Sequence, residues 1–130
     1  MPPSIHPVEL IGALRHKHLT PDIVFLTSRR ACDDAMQAFQ RSHTVLPPAR
    51  QQAITSVLDQ LIAEYPSIGE HPLLPTVQRV GVAAHHAGHL PSWKIAIEEL
   101  MRQGCLDAVF ATTTLAAGVD FPARTVVLTQ

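Results

Sequence analysis

An α/β fold, with a mostly parallel sheet covered by helices, is predicted by three features of the sequence. Short apolar runs suited to buried strands lie at residues 22–27, 80–84, 107–111 and 125–128. Between them are stretches whose apolar residues recur at helical spacing, giving the order α-β-α-α-β-α-β-β. Three of the strands also run directly into polar loops, as expected where an open α/β sheet binds a ligand beyond the carboxyl ends of its strands.

The elements follow in order. Val8, Leu10, Ile11 and Leu14 form a helical stripe that stops before Thr20-Pro21, since the residue preceding proline disfavours helix. Asp22-Ile-Val-Phe-Leu-Thr27 reads as the first strand and passes into a helix carrying Cys32, Ala35, Met36 and Phe39 on one face. Ala53, Ile54, Val57, Leu58, Leu61 and Ile62 give a regular helical stripe after the break at Pro47-Pro48. Residues 65–75, with Pro66, Gly69, Pro72 and Pro75, read as a loop, so 43–75 is expected to be a helical insertion and loop between strands. Val80-Gly-Val-Ala-Ala84 reads as a buried strand. A helix from Pro91-Ser92 to Gly104 buries Trp93, Ile97, Leu100 and Met101, with Ala96 alongside. Two further buried strands, Asp107–Ala111 and Thr125–Leu128, flank a threonine-rich turn.

Residues 1–130 fit one domain, and 46% apolar with 16% charged residues allows a real core. The formal charge of −1 argues neither for nor against nucleic acid, which would need a local basic patch. Cys32 and Cys105 lack the paired spacing of a zinc ribbon or disulfide scaffold and read as reduced thiols. No apolar run approaches a membrane span and no signal pattern opens the chain, so a soluble, cytoplasmic protein with no membrane partner is expected.

The chemistry is expected in the three strand-end loops. Thr27-Ser28-Arg29-Arg30 places hydroxyls where a helix needs an N-cap, and then two cations where the helix dipole disfavours them. That conflict is resolved if an anion binds there; two solvated surface arginines are the other reading. His85-His-Ala-Gly-His89 has two histidines four apart but no glutamate between them and a glycine that weakens a helix. No metal ligand set is assigned, and a loop that approaches a ligand or hydrogen-bonds its own backbone is expected instead. Thr112-Thr-Thr-Leu-Ala-Ala-Gly-Val-Asp120 is a hydroxyl run with no packing purpose. If the strands are parallel, the three loops share one edge, and their hydroxyls, N–H groups and arginines suit phosphodiester oxygens. The chain has no G-x-x-x-x-G-K-[ST] loop, G-x-G-x-x-G fingerprint or G-x-S-x-G elbow, so it should not be a complete nucleotidase.

These motifs resemble those of the second RecA-like domain of superfamily-2 DEAD/DExH helicases, especially the exosome-associated RNA helicases and their DNA-repair relatives. Ile23-Val-Phe-Leu-Thr-Ser-Arg-Arg30 looks like motif IV, Val82-Ala-Ala-His-His-Ala-Gly88 like the histidine-glycine segment IVa, and Ala111–Arg124 like that subgroup's motif V. The resemblance spans residues 22–128 and implies a RecA-like three-layer sandwich, present as a partial domain that stops before motif VI. It also implies that Thr27, Ser28, Arg29, His86, Gly88, Thr112 and Thr113 line a single-stranded DNA or RNA track, and that Gly118 and Asp120 reach an ATP cleft. ATP and Mg would then belong to a full-length parent, shared with its first RecA-like domain. With no arginine finger, a group worth roughly 10³–10⁵ in related phosphoryl transfer, and no catalytic residues of its own, this stretch alone should be inactive. His89 departs from the subgroup, which has an apolar residue there.

Two other readings remain. One is a helicase-like module that binds nucleic acid or a protein without catalysis. The other is an unrelated α/β enzyme whose pocket holds His85, His86 and Asp120.

Overall fold

The computed structural model describes residues 6–112 and 123–129. Its sheet has four strands, β1 (Asp22–Phe25), β2 (Val82–His85), β3 (Ala108–Ala111) and β4 (Thr125–Leu128), in the order β2-β3-β1-β4. All three pairings are parallel. Five helices accompany them: α1 (Pro7–His16), α2 (Arg29–Arg41), α3 (Pro48–Glu64), α4 (Leu74–Val80) and α5 (Pro91–Arg102). Among the described residues no helix is long and apolar enough to cross a membrane.

The apolar stripes find one core. Cys32, Ala35, Met36 and Phe39 of α2 are buried against β2 and β3, and Phe39 meets Phe110 at a centroid distance of 6.1 Å. Trp93, Ala96, Ile97, Leu100 and Met101 bury the inner face of α5 against β2, with α3 packed behind it through Ile54, Val57 and Leu58. Ala53, expected on that stripe, is exposed. β2 and β3 are buried at every position, which is why they read as unbroken apolar runs.

Three expectations need correction. The stretch 65–75 is not a plain loop: a 3-10 helix occupies Pro66–Glu70, and α4 begins at Leu74. Pro75 falls in the first turn of α4, where its missing N–H breaks no helical hydrogen bond. The strand expected over 80–84 accordingly starts later. Val80 closes α4, and Gly81 caps it in the left-handed conformation at φ +68° before β2 begins at Val82. A Cβ on Gly81 would lie 2.7 Å from Leu46 Cδ1, so both the backbone angle and the space call for glycine. Finally, β4 is not buried on both faces. It pairs only with β1 among the described residues, and Val126 and Leu128 are exposed while Thr125 and Val127 turn inward.

The amino-end edge of the sheet is held by charge. Asp107 Oδ2, just ahead of β3, accepts from Arg15 Nε at 2.7 Å and Arg50 Nη1 at 2.8 Å. The same arginines donate to the carbonyls of Val80 and Cys105, so α1 and α3 are tied to the starts of β2 and β3. Asp22 opens β1 beside this cluster and is fully buried, with the Thr125 side chain of β4 near its carboxylate. Burial pushes its pKa up to about 6, with the negative charge of Asp107 adding to the rise and Thr125 and Arg15 opposing it.

Candidate nucleic-acid interface

The opposite, carboxyl-end edge carries the polar loops. Phe25 of β1 and His85 of β2 both stand in register with Ala111 of β3, and Leu26 N–H donates to the Ala111 carbonyl at 2.8 Å. The carboxyl ends of β1, β2 and β3 therefore stand at one level, with β3 between the other two. Thr27, Ser28, Arg29 and Arg30 are exposed there. The Ser28 hydroxyl caps α2 by accepting from Ala31 N–H at 3.0 Å, which leaves Arg29 and Arg30 in the first turn. Thr112 is half-buried at the end of β3. Thr113, Gly118 and Asp120 lie outside the described residues.

The histidine-glycine loop meets the arginine loop directly. A Cβ built on Gly88 would stand 3.6 Å from Arg29 Cδ and about as close as atoms can come to the His86 ring, at 3.0 and 3.1 Å. Gly88 thus leaves room for two side chains at once. His86 itself is not a free donor. Its ring is only 6% exposed, its Nε2 lies 2.9 Å from Asp33 Oδ1, and its Nδ1 accepts Gly88 N–H at 3.0 Å. Because Nδ1 is an acceptor, the neutral ring carries its proton on Nε2 and donates it to Asp33.

His89 completes the loop. Its ring stacks on His86 at 3.8 Å, and its Nδ1 accepts His86 N–H at 3.3 Å. Edge-on at 5.8 Å is His71, which stacks on Trp93 at 3.7 Å. A column of four rings, Trp93, His71, His89 and His86, therefore runs from the core face of α5 to the loop. Burial, followed by the neighbouring His86 and His71, pushes the His89 pKa down to about 4, so the His89 ring is uncharged at neutral pH. Burial also lowers the pKa of His71, with Asp33 opposing the shift. His85 faces away from this column to Glu98 of α5, with Nε2 to Oε2 at 2.8 Å.

Asp33, His86 and His89 offer donor atoms within 4.8 Å of one another, a spacing that raises the possibility of a metal. The hydrogen bonds argue otherwise. Both imidazoles use Nδ1 to accept a backbone N–H, which puts their protons on Nε2, whereas a histidine bound to metal through Nε2 donates from Nδ1. Coordination would break both contacts that shape the loop.

Asp33, His71 and Glu98 were not singled out in the sequence. Asp33 sits one turn beyond Arg29, on the same helical face, and that spacing is the only signal that could have linked it to the loop.

A parallel sheet with three polar loops on its carboxyl edge, helices packed on its strands and a capped helix leading from β1 defines a RecA-like α/β unit, here a partial one. No family model matches the chain. Its homologues are DExH-type superfamily-2 helicases. The chain is 40% identical over 117 residues to the DExH-box ATP-dependent RNA helicase DExH15, chloroplastic, of Arabidopsis thaliana, matching 90% of this chain and 10% of that protein. It is 42% identical over 126 residues to "Probable helicase HelY" of Mycobacterium leprae, matching 92% and 14%. It is 32% identical over 128 residues to the human exosome RNA helicase MTR4, matching 94% and 12%. Among solved structures, Mycobacterium smegmatis helicase Lhr bound to ssDNA and AMP-PNP shares the fold, with a TM-score of 0.50, 23% identity, and 90% of this chain and 11% of Lhr covered. The chain thus corresponds to between a tenth and a seventh of the length of these relatives.

Proposed function

We propose that this chain is the part of an ATP-dependent helicase that carries one side of the single-strand track. The observation that supports this most is the shared level of the carboxyl ends of β1, β2 and β3, with the Arg29 side chain close to Gly88. Thr27, Ser28, Arg29, Gly88, Thr112 and Thr113 would face the phosphate backbone, contacts that position a strand without reading its sequence. His86 would act behind them, since both its ring nitrogens are engaged within the protein. Gly118 and Asp120 would reach the nucleotide cleft of the parent, where ATP and Mg are held with the first RecA-like domain. Relatives named as RNA helicases and a fold neighbour solved with ssDNA support single-stranded nucleic acid as the ligand class.

The test uses the full-length parent and single-stranded oligonucleotides over a range of salt. Arg29→Ala should weaken binding for all sequences alike and reduce the slope of log affinity against log salt by about one contact. An unchanged slope and affinity would remove this edge from the track.

A further inference from the structure

Asp33 belongs to none of the helicase-like motifs, yet its carboxylate is what joins the two loops. The chain of contacts runs Asp33 Oδ1 to His86 Nε2 at 2.9 Å, then His86 Nδ1 to Gly88 N–H at 3.0 Å, and returns through His86 N–H to His89 Nδ1 at 3.3 Å. Each contact constrains the next. If the carboxylate did not accept from Nε2, the imidazole could exchange its proton to Nδ1, and Nδ1 would then face Gly88 N–H as a second donor. Two donors cannot share that contact, so the ring or the Gly88 peptide would have to turn. Arg29 Cδ lies 3.6 Å from where a Cβ on Gly88 would stand, and Asp33 and Arg29 are one helical turn apart on α2. The Asp33 side chain is 49% exposed while the His86 ring is 6% exposed, so an accessible carboxylate controls a buried ring.

We propose that Asp33 is a positioning residue for the strand-facing edge: acting through the His86 imidazole, it sets the orientation of the Gly88 peptide and so the surface beside the Arg29 side chain. This rests on the nucleic-acid reading given above. It assigns Asp33 no contact with the strand.

The experiment compares Asp33→Asn, Asp33→Ala and Arg29→Ala in the full-length parent, with two readouts: affinity for a single-stranded oligonucleotide, and hydrogen exchange of the segment 85–90 against that of α3. The asparagine amide oxygen still accepts from His86 Nε2, so Asp33→Asn should keep wild-type exchange and bind within about twofold of wild type. Asp33→Ala should speed exchange in 85–90, leave α3 unchanged, and weaken binding on the order of 2–10-fold, the range expected for one lost hydrogen bond. Unchanged exchange in 85–90 for Asp33→Ala would overturn the proposal. So would equal damage from Asp33→Asn, because charge and not hydrogen-bond geometry would then be at work. If Arg29→Ala also leaves affinity untouched, the track assignment fails, and the exchange readout alone decides whether Asp33 shapes the loop.

Discussion

Arg79 donates from Nη2 to the Phe39 carbonyl at 3.0 Å, and the same guanidinium reaches the carbonyls of Gln40, Ser42 and Thr44. One side chain of α4 thus ties together the carboxyl end of α2 and the segment that follows it, where a cation also complements the helix dipole. Lysine has the charge but not the planar fork. Arg79→Lys is expected to cost about 0.5–1 kcal/mol and Arg79→Ala about 1–2 kcal/mol, as part-buried carbonyls lose a charged donor. Equilibrium denaturation of the two variants gives the comparison; equal losses would show that charge alone matters.

Asp22 makes stability depend on pH in an uncommon direction for an acid. Its folded pKa of about 6 lies above the ordinary 3.8, so its contribution is fully present below about pH 4 and is lost as pH rises through about 6. Asp22→Asn removes the charge while keeping the shape. Relative to the wild type it should gain stability between pH 4 and 7, on the order of 1–3 kcal/mol at the upper end. Thermal melts across that range would show the gap widening with pH; a gap that is constant or narrows refutes the assignment.

Gly81→Ala combines two penalties that a double mutant separates. A left-handed angle costs an alanine on the order of 1 kcal/mol, and the 2.7 Å approach to Leu46 Cδ1 adds a packing term. In a Leu46→Ala background only the first should remain. A double-mutant cycle by urea denaturation is expected to show coupling of about 1 kcal/mol or more, and strict additivity would place the whole cost in the backbone.

Trp93 is buried with an indole Nε1 that has no hydrogen-bond partner among the described residues, so its value lies in area and in the stack with His71. Trp93→Phe keeps a ring and loses no bond, and should cost about 1–2 kcal/mol, against roughly 3–5 kcal/mol for Trp93→Ala. If phenylalanine proves as damaging as alanine, the Nε1 proton has a role the structure does not show.

How far the sequence carried the reading depended on the length of each pattern. α2, α3 and α5 repeat an apolar face over three or more turns, and periodicity reveals such helices whatever surrounds them. α4 is 7 residues, too short to display a period, and its Pro75 reads as a breaker when taken without the turn it starts. The exposed face of β4 was hidden for a different reason: Val126 and Leu128 are apolar yet face outward, so hydropathy alone described the strand as buried. In the site, the three loops were legible because parallel strands deliver their ends to one edge. Their mutual contacts were not, since nothing in a linear pattern links Asp33 to His86 or His71 to Trp93.

The ring column gives the loop a mechanical property that its glycine would otherwise deny it. A loop containing Gly88 should fold there when pressed. Trp93 is anchored in the interior of α5, and His71 and His89 stand between it and His86 like blocks in a strut. Pressure applied at the loop would pass down that strut into the body of the domain, so the loop resists being pushed in towards the sheet at Ala87 and Gly88.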